Sequence, residues 1–276
     1  MNRFAEMLDN VRASQPLVHC ITNYVTVNDC ANILLACGAS PIMADDEAEV
    51  EDIISICSAL DINIGTLNGR TVSSMLKAGT KARSLGRPVI LDPVGAGASQ
   101  LRTSTAIRLV SEIAPDVIRG NISEIKTLAD GCGNTNGVDA DIRDSISEEN
   151  LAESVDFMKS LSGKLNAVIA VTGAIDIVAD NEKAYVIRNG HPMLSRITGS
   201  GCMLSALTTA FCAANPASLA EASAAAVAMM GLCGELAHEK TLECGGGTGS
   251  FRAYLIDEAS LMDGSKLEGG MKIEIR

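Results

Sequence analysis

Pro88-Val89-Ile90-Leu91-Asp92-Pro93-Val94-Gly95-Ala96-Gly97-Ala98 decides how this chain is read. Pro88–Leu91 is a short, unbroken apolar run, which predicts a strand buried on both faces, as strands of parallel sheets are. The run ends in an Asp and passes into a glycine-rich turn. On one side, Thr71–Leu85 has helical spacing and stops at Gly86; on the other, Leu101–Ile113 is helical again. Strand, turn and helix in alternation build an open parallel α/β sheet. Such sheets bind ligands in the crevice beyond the carboxyl ends of their strands, so the residues that follow each strand are where chemistry is expected.

The alternation extends both ways. Upstream, helices are predicted at Phe4–Ala13, Val27–Cys37 (ending at Gly38) and Glu47–Ala59, with strands at Leu17–Ile21, Ser40–Met43 and Ile62–Gly65. Downstream come a strand at Asp116–Arg119, a helix at Glu149–Leu161 and a strand at Ala167–Val171. Ile175–Ala179 and Ala184–Arg188 then read as a hairpin around Asp180-Asn181-Glu182. After Arg196 the pattern turns helical, at Cys202–Ala213, Leu219–Glu239 and Thr248–Met262. Gly131–Asn150, rich in Gly, Asn and Asp, reads as a surface loop, and residues 1–276 as one domain.

Composition narrows the class of function. Apolar residues are 47% of the chain and aromatics only 3%, so the core must be aliphatic, which suits close-packed helices on a parallel sheet. A formal charge of −12 disfavours nucleic acid and anionic membranes as partners. A phosphate ligand would need local basic residues, backbone N–H groups or a metal ion. Nine cysteines without a CxxC pair indicate free thiols in a reducing, cytoplasmic compartment. Met1–Asn10 carries charges that no secretory signal would have. The apolar stretch Met203–Ala237 is interrupted by Pro216, Glu221 and Glu235, and reads as buried helix.

Four segments after predicted strands, or before a helix, carry unusual chemistry. Thr198-Gly199-Ser200-Gly201-Cys202-Met203 puts glycines before a helix N-terminus, whose free N–H groups and partial positive charge can receive a phosphoryl group. Cys202 falls in the first turn, where a thiol pKa is expected to drop. Asp92, at a strand end, can meet Mg²⁺ or the acceptor hydroxyl. In Arg119-Gly120-Asn121-Ile122-Ser123-Glu124, Arg119 suits phosphates. Asn121 and Glu124 can approach hydrated Mg²⁺, or alternatively form a helix cap. Thr172, in Val171-Thr172-Gly173, can bond a nucleotide phosphate. Each segment alone also has a purely structural reading as a capped or glycine turn.

Taken in order, these segments resemble the ribokinase-like superfamily. His19–Thr26 (HCITNYVT), Ala39–Ala44 (ASPIMA), Ile64–Leu67 (IGTL), Asp92–Ala98 (DPVGAGA), Arg119–Ile125 (RGNISEI), Gly137-Val138-Asp139 and Thr198–Met203 (TGSGCM) resemble the hydroxyethylthiazole kinases over nearly the whole chain. The resemblance implies a three-layer fold with a mostly parallel sheet flanked by helices. It also implies Mg²⁺·ATP-dependent phosphorylation of the alcohol of 4-methyl-5-(2-hydroxyethyl)thiazole in thiamin salvage. It gives Met43, Gly199, Asn23, Val27 and Gly65 to the thiazole. Arg119, Thr172 and Asn121 go to ATP, Asp92 and Glu124 to the metal, and Gly199, Ser200, Gly201 and Cys202 to catalysis. It further implies a homotrimer with sites at subunit interfaces. The superfamily usually has Asp as base where this chain has Cys202; a thiolate can take the proton, but a loose transition state needs little base help.

Other readings fit less well. A Rossmann oxidoreductase needs G-x-G-x-x-G after the first strand, and this strand leads into Thr22-Asn23-Tyr24. Hydroxymethylpyrimidine kinases and dehydratases of hydrated nicotinamide cofactors share the crevice but would be expected to have Asp at 202. A nucleotide-binding subunit without turnover would not need every motif position filled. The three histidines suggest neither a triad nor a metal site.

Overall fold

The computed structural model describes residues 3–131 and 145–276. The elements run α1 (Arg3–Ser14), β1 (Leu17–Ile21), α2 (Val27–Cys37), β2 (Ser40–Ile42), α3 (Val50–Ile56), β3 (Ala59–Asn63), α4 (Gly69–Ser84), β4 (Val89–Asp92), α5 (Gln100–Ile113), β5 (Val117–Gly120) and α6 (Ile122–Gly131). Then follow α7 (Leu151–Leu165), β6 (Val168–Val171), β7 (Asp176–Ala179), β8 (Ala184–Ile187), a 3-10 turn (Pro192–Arg196), α8 (Ser200–Ala214), α9 (Leu219–Glu243), α10 (Thr248–Leu261), α11 (Gly264–Gly270) and β9 (Ile273–Ile275).

The strands form one sheet in the order β2-β1-β3-β4-β5-β6-β7-β8-β9. Pairings from β2 through β6 are parallel, and β6–β7, β7–β8 and β8–β9 are antiparallel. Side chains alternate across the strands, so each strand feeds two cores. Val18, Ile90, Val117, Ala170, Val178 and Tyr185 pack under α1, α2, α8, α9, α10 and α11. Ile21, Leu60, Ile62, Leu91, Ile118 and Ile169 pack under α3 to α7. The result is helix, sheet, helix, as expected. The aliphatic composition is concentrated in α9, where a run of Ala residues lets the helix lie deep in the first core. That helix is long and apolar enough to cross a membrane, but 78% of its most apolar window is buried inside the fold.

Several boundaries differ from the sequence expectation. The helix expected over Glu47–Ala59 contracts to Val50–Ile56, because the Ser58 N–H bonds to the Leu17 carbonyl and draws the chain into the sheet. The strand expected at Ile62–Gly65 therefore starts at Ala59 and ends at Asn63. The 3-10 turn, α11 and β9 were not anticipated as elements, and α6 was anticipated only through the cap at Asn121 and Glu124. Of the expected loop Gly131–Asn150, Gly131 closes α6 and residues 145–150 lead into α7. The rest of it, with the Gly137-Val138-Asp139 motif, lies outside the described residues.

Candidate active site

The carboxyl ends of β1, β3, β4, β5 and β6 converge on the N-terminus of α8. Gly199 makes that approach possible. Its φ is +87°, in the left-handed region, and a Cβ built on it would lie 2.6 Å from Thr26 Cγ2. The chain can thus turn against the start of α2 and enter α8, whose N-cap has no side-chain hydrogen bond. The first N–H groups of α8 are left to face an anion.

Arg119 lies beside this turn. A Cβ on Gly201 would meet its Nη1 at 2.8 Å, so a larger residue there would displace the guanidinium. Arg119 Nη2 donates to Thr172 Oγ1 at 2.6 Å, and Nη1 reaches Asp92 Oδ2 at 3.4 Å. Asp92 Oδ2 also accepts from Asn63 Nδ2 at 2.9 Å and from the Ser205 hydroxyl at 2.7 Å. Burial pushes the Asp92 carboxyl up, against the pull of Arg119 and of Ser205. Asp92 Oδ1 and Arg119 Nε are buried without a protein partner. An orphaned carboxylate oxygen and an orphaned guanidinium N–H side by side fit a metal-bound polyphosphate. A Mg²⁺ ion held mainly by phosphates needs only one or two carboxylates, so a larger cluster is not required; among the described residues no group of three metal-ligating side chains occurs.

Asn121 and Glu124 do form the helix cap that was the alternative reading. The Glu124 N–H donates to Asn121 Oδ1 at 2.9 Å, and Glu124 Oε2 accepts from the Asn121 N–H at 2.8 Å. Glu124 Oε1 accepts from the Gly95 N–H at 2.7 Å. The carboxylate therefore first fixes the turn after β4 against the start of α6. Each oxygen keeps a lone pair free for a hydrated ion.

Cys202 is the end of a chain of amides. Asn23 Nδ2 donates to Cys202 Sγ at 3.2 Å and to Asn63 Oδ1 at 3.1 Å, and Asn63 passes the chain on to Asp92. The expected fall in the thiol pKa is not found. Burial, with the Asp92 carboxylate behind it, pushes the Cys202 thiol up, more than its hydrogen bonds lower it. Burial is the largest cause, because the sulfur sits in a largely desolvated pocket. A neutral thiol is thus the form present at neutral pH.

One cavity is lined by the first turn of α8, and a second connects to that turn through the Cys202–Asn23–Asn63 chain. The larger, about 560 Å³, is lined by Arg119, Thr172, Asp176, His191, Ser200 and Gly201 among others. Asp176 was not foreseen; burial raises its carboxyl to about 7, against the Gly173 N–H and Arg119. His191 stacks on His238 with ring centroids 3.5 Å apart, although the sequence offered no reason to pair them and placed His238 in a buried helix; it is only half-buried. The smaller cavity, about 340 Å³, is lined by Met43, Val27, Cys20, Thr22, Asn63 and Thr66, and also by Asp45 and Arg70. Its wall thus combines apolar side chains with an Asp and an Arg. His19, buried and neutral, bonds the Ala44 carbonyl at 2.8 Å and so fixes the segment that carries Met43. Gly65 presses on Asn23, where an added Cβ would lie 2.8 Å from Asn23 Cβ. Of the residues expected at the thiazole, Met43 and Val27 line the smaller cavity, and of those expected at ATP, Arg119 and Thr172 line the larger.

Comparison with known proteins identifies the family. A hydroxyethylthiazole kinase of Clostridium acetobutylicum is 59% identical over 98% of each chain. A solved hydroxyethylthiazole kinase structure from Pyrococcus horikoshii superposes over the full length of both chains with a TM-score of 0.89 at 36% identity. A ribokinase-like superfamily protein from Enterococcus faecalis, at 13% identity, covers 92% of this chain and 89% of its own with a TM-score of 0.59, which speaks for the fold alone. The family model described as the hydroxyethylthiazole kinase family matches residues 8–264, and the chain belongs to that family.

Proposed function

We propose that this protein transfers the γ-phosphoryl group of ATP to the primary alcohol of 4-methyl-5-(2-hydroxyethyl)thiazole, within one catalytic domain spanning the chain. The observation that carries this reading is a hydrogen-bond chain between two cavities: Ser200 and Gly201, on the first turn of α8, line one, and from the same turn Cys202 connects through Asn23 to Asn63 on the wall of the other. ATP occupies the larger cavity, its phosphates held by Arg119, Thr172 and Asn121. The thiazole occupies the smaller one beside Met43, Val27, Gly65 and Asn23.

The alcohol oxygen forms the new P–O bond as the bond to the departing ADP breaks. N–H groups after Gly199, at Ser200, Gly201 and Cys202, hold charge on the transferring group. Cys202 acts as a neutral thiol that packs beside the hydroxyl. The hydroxyl proton leaves late and passes to an oxygen of the transferred phosphoryl group, so that no thiolate base is needed, consistent with a loose transition state. Mg²⁺, held near Asp92 and Glu124, would neutralise phosphate charge.

A trimer with sites near its interfaces is part of this proposal. It is supported by Tyr24, which lines the smaller cavity and is 79% exposed, and by its neighbour Val25, 56% exposed. A reducing, cytoplasmic setting is supported by the free state of all eight described cysteines.

The test is ADP release with Mg²⁺·ATP and hydroxyethylthiazole, with hydroxymethylpyrimidine as the control alcohol. Release that depends on thiazole supports the reading. Release with the pyrimidine alone would transfer the reading to another alcohol kinase of this fold.

A further inference from the structure

Arg102, on the first turn of α5, makes bonds that its position does not announce. Its guanidinium donates to three main-chain carbonyls: Nη1 to Val94 at 2.6 Å and to Ile64 at 3.2 Å, and Nη2 to Gly65 at 2.5 Å. It also lies against Gly95, whose φ is +74° and where an added Cβ would be 3.0 Å from Nη1. Ile64 and Gly65 follow β3, while Val94 and Gly95 follow β4. One planar group thus joins the two loops that leave neighbouring strands.

Both loops lead to the reacting groups. Gly65 has its N–H on Asn63 Oδ1 at 2.9 Å, its carbonyl on Arg102 and its Cα against Asn23. Asn23 in turn holds Cys202. Gly95 gives its N–H to Glu124, which caps α6 beside Arg119 and Asn121. A carbonyl carries no charge, so a guanidinium spent on three of them contributes geometry more than Coulomb energy. Its fixed fork can hold carbonyls from two loops at once, which an ammonium on a flexible stem cannot.

We infer that Arg102 is a positioning residue, which sets the acceptor side of the site (Gly65, Asn23, Cys202) in register with the phosphate side (Val94, Gly95, Glu124). It touches neither cavity's reacting centre; it acts through the two loops. The consequence for catalysis rests on the function proposed above, while the coupling of the two loops does not.

Two measurements on Arg102→Lys test it, with wild type alongside. The first is amide hydrogen exchange. The lysine is expected to speed exchange in both 64–67 and 93–97, with α9 and α10 unchanged. Faster exchange in one loop only, or across the whole molecule, would overturn the coupling. The second is steady-state kinetics with hydroxyethylthiazole. A misplacement of the order of 1 Å is expected to lower kcat by roughly tenfold to a hundredfold, with Mg²⁺-free ADP affinity within about twofold of wild type, because Arg119 and Thr172 are untouched. Guanidinium ion at millimolar concentration should restore part of kcat to Arg102→Gly. Wild-type turnover of thiazole with kcat unchanged in Arg102→Lys contradicts the catalytic role. Absence of thiazole turnover in wild type, with both loops loosened in the variant, removes the proposed reaction and leaves the coupling standing.

Discussion

Asn23 Nδ2 donates to Cys202 Sγ at 3.2 Å, binding the turn after β1 to the first turn of α8. The same amide nitrogen serves Asn63 Oδ1, and Asn23 Oδ1 accepts from the Thr26 N–H at 3.1 Å. One side chain thus orders the thiol, the strand end and the turn on which Gly199 rests.

Asn23→Ala should therefore impair the acceptor side without touching the phosphate side. Each partner left unpaired costs about 1–3 kcal/mol where it is buried. We expect kcat/KM for thiazole to fall roughly tenfold or more, equivalent to at least about 1.4 kcal/mol. ADP affinity should stay as in wild type, and calorimetric titration beside kinetics checks the split.

Gly199→Ala should strain the turn itself. An alanine at φ +87° costs on the order of 1–3 kcal/mol, and its Cβ would press on Thr26. The expected result is a lower melting midpoint together with a loss of kcat, because the α8 N–H groups move. A variant with wild-type midpoint and wild-type kcat would mean that the glycine turn is not what aims the helix.

The state of Cys202 has a direct readout. Burial and Asp92 hold its thiol above the ordinary value, so alkylation by iodoacetamide should be slow at neutral pH and rise with pH through a midpoint above that value. Bound thiazole should protect it. Rapid alkylation at neutral pH, resolved by peptide mass mapping, would restore the thiolate-base reading.

Asp61 predicts an unusual pH dependence of stability. It is fully buried on β3 with both oxygens unpartnered, and burial and the neighbouring Asp92 raise its carboxyl well above the ordinary range, against Arg119. In the unfolded chain it ionises near pH 3.9, and in the fold only at higher pH. The unfolded state therefore loses its proton first, and stability falls as pH rises from the unfolded pKa through the folded one. Each pKa unit corresponds to about 1.4 kcal/mol. Asp61→Asn should gain stability relative to wild type on going from pH 4 to pH 8, measured by denaturant unfolding.

Local patterns in the sequence carry most of the fold. Pro88–Leu91 and Ala167–Val171 are apolar runs too short for helices, and both are central strands; Gly38 and Gly86 punctuate as read. Where tertiary pairing decides, the pattern is silent. Ala59 joins a strand because Ser58 bonds Leu17, and Ile273–Ile275 becomes a strand only because β8 offers an edge. The site divides in the same way. Asp92, Arg119, Thr172 and the Gly199 turn follow strands or precede a helix, so topology alone points to them. Asn63, Ser205, Asp176 and Arg102 are found only once the chain is folded, because their partners lie far along it. Asn63 did carry a signal, as a polar residue in an apolar strand beside the crevice.

The central claim is transfer of a phosphoryl group to the thiazole alcohol, and phosphorus NMR of a reaction with Mg²⁺·ATP and hydroxyethylthiazole tests it most directly. The account predicts that the γ-phosphate resonance is replaced by a phosphomonoester coupled to the methylene of the hydroxyethyl arm, at the rate of ADP formation. ADP and inorganic phosphate alone, from a folded protein saturated with both ligands, would contradict it.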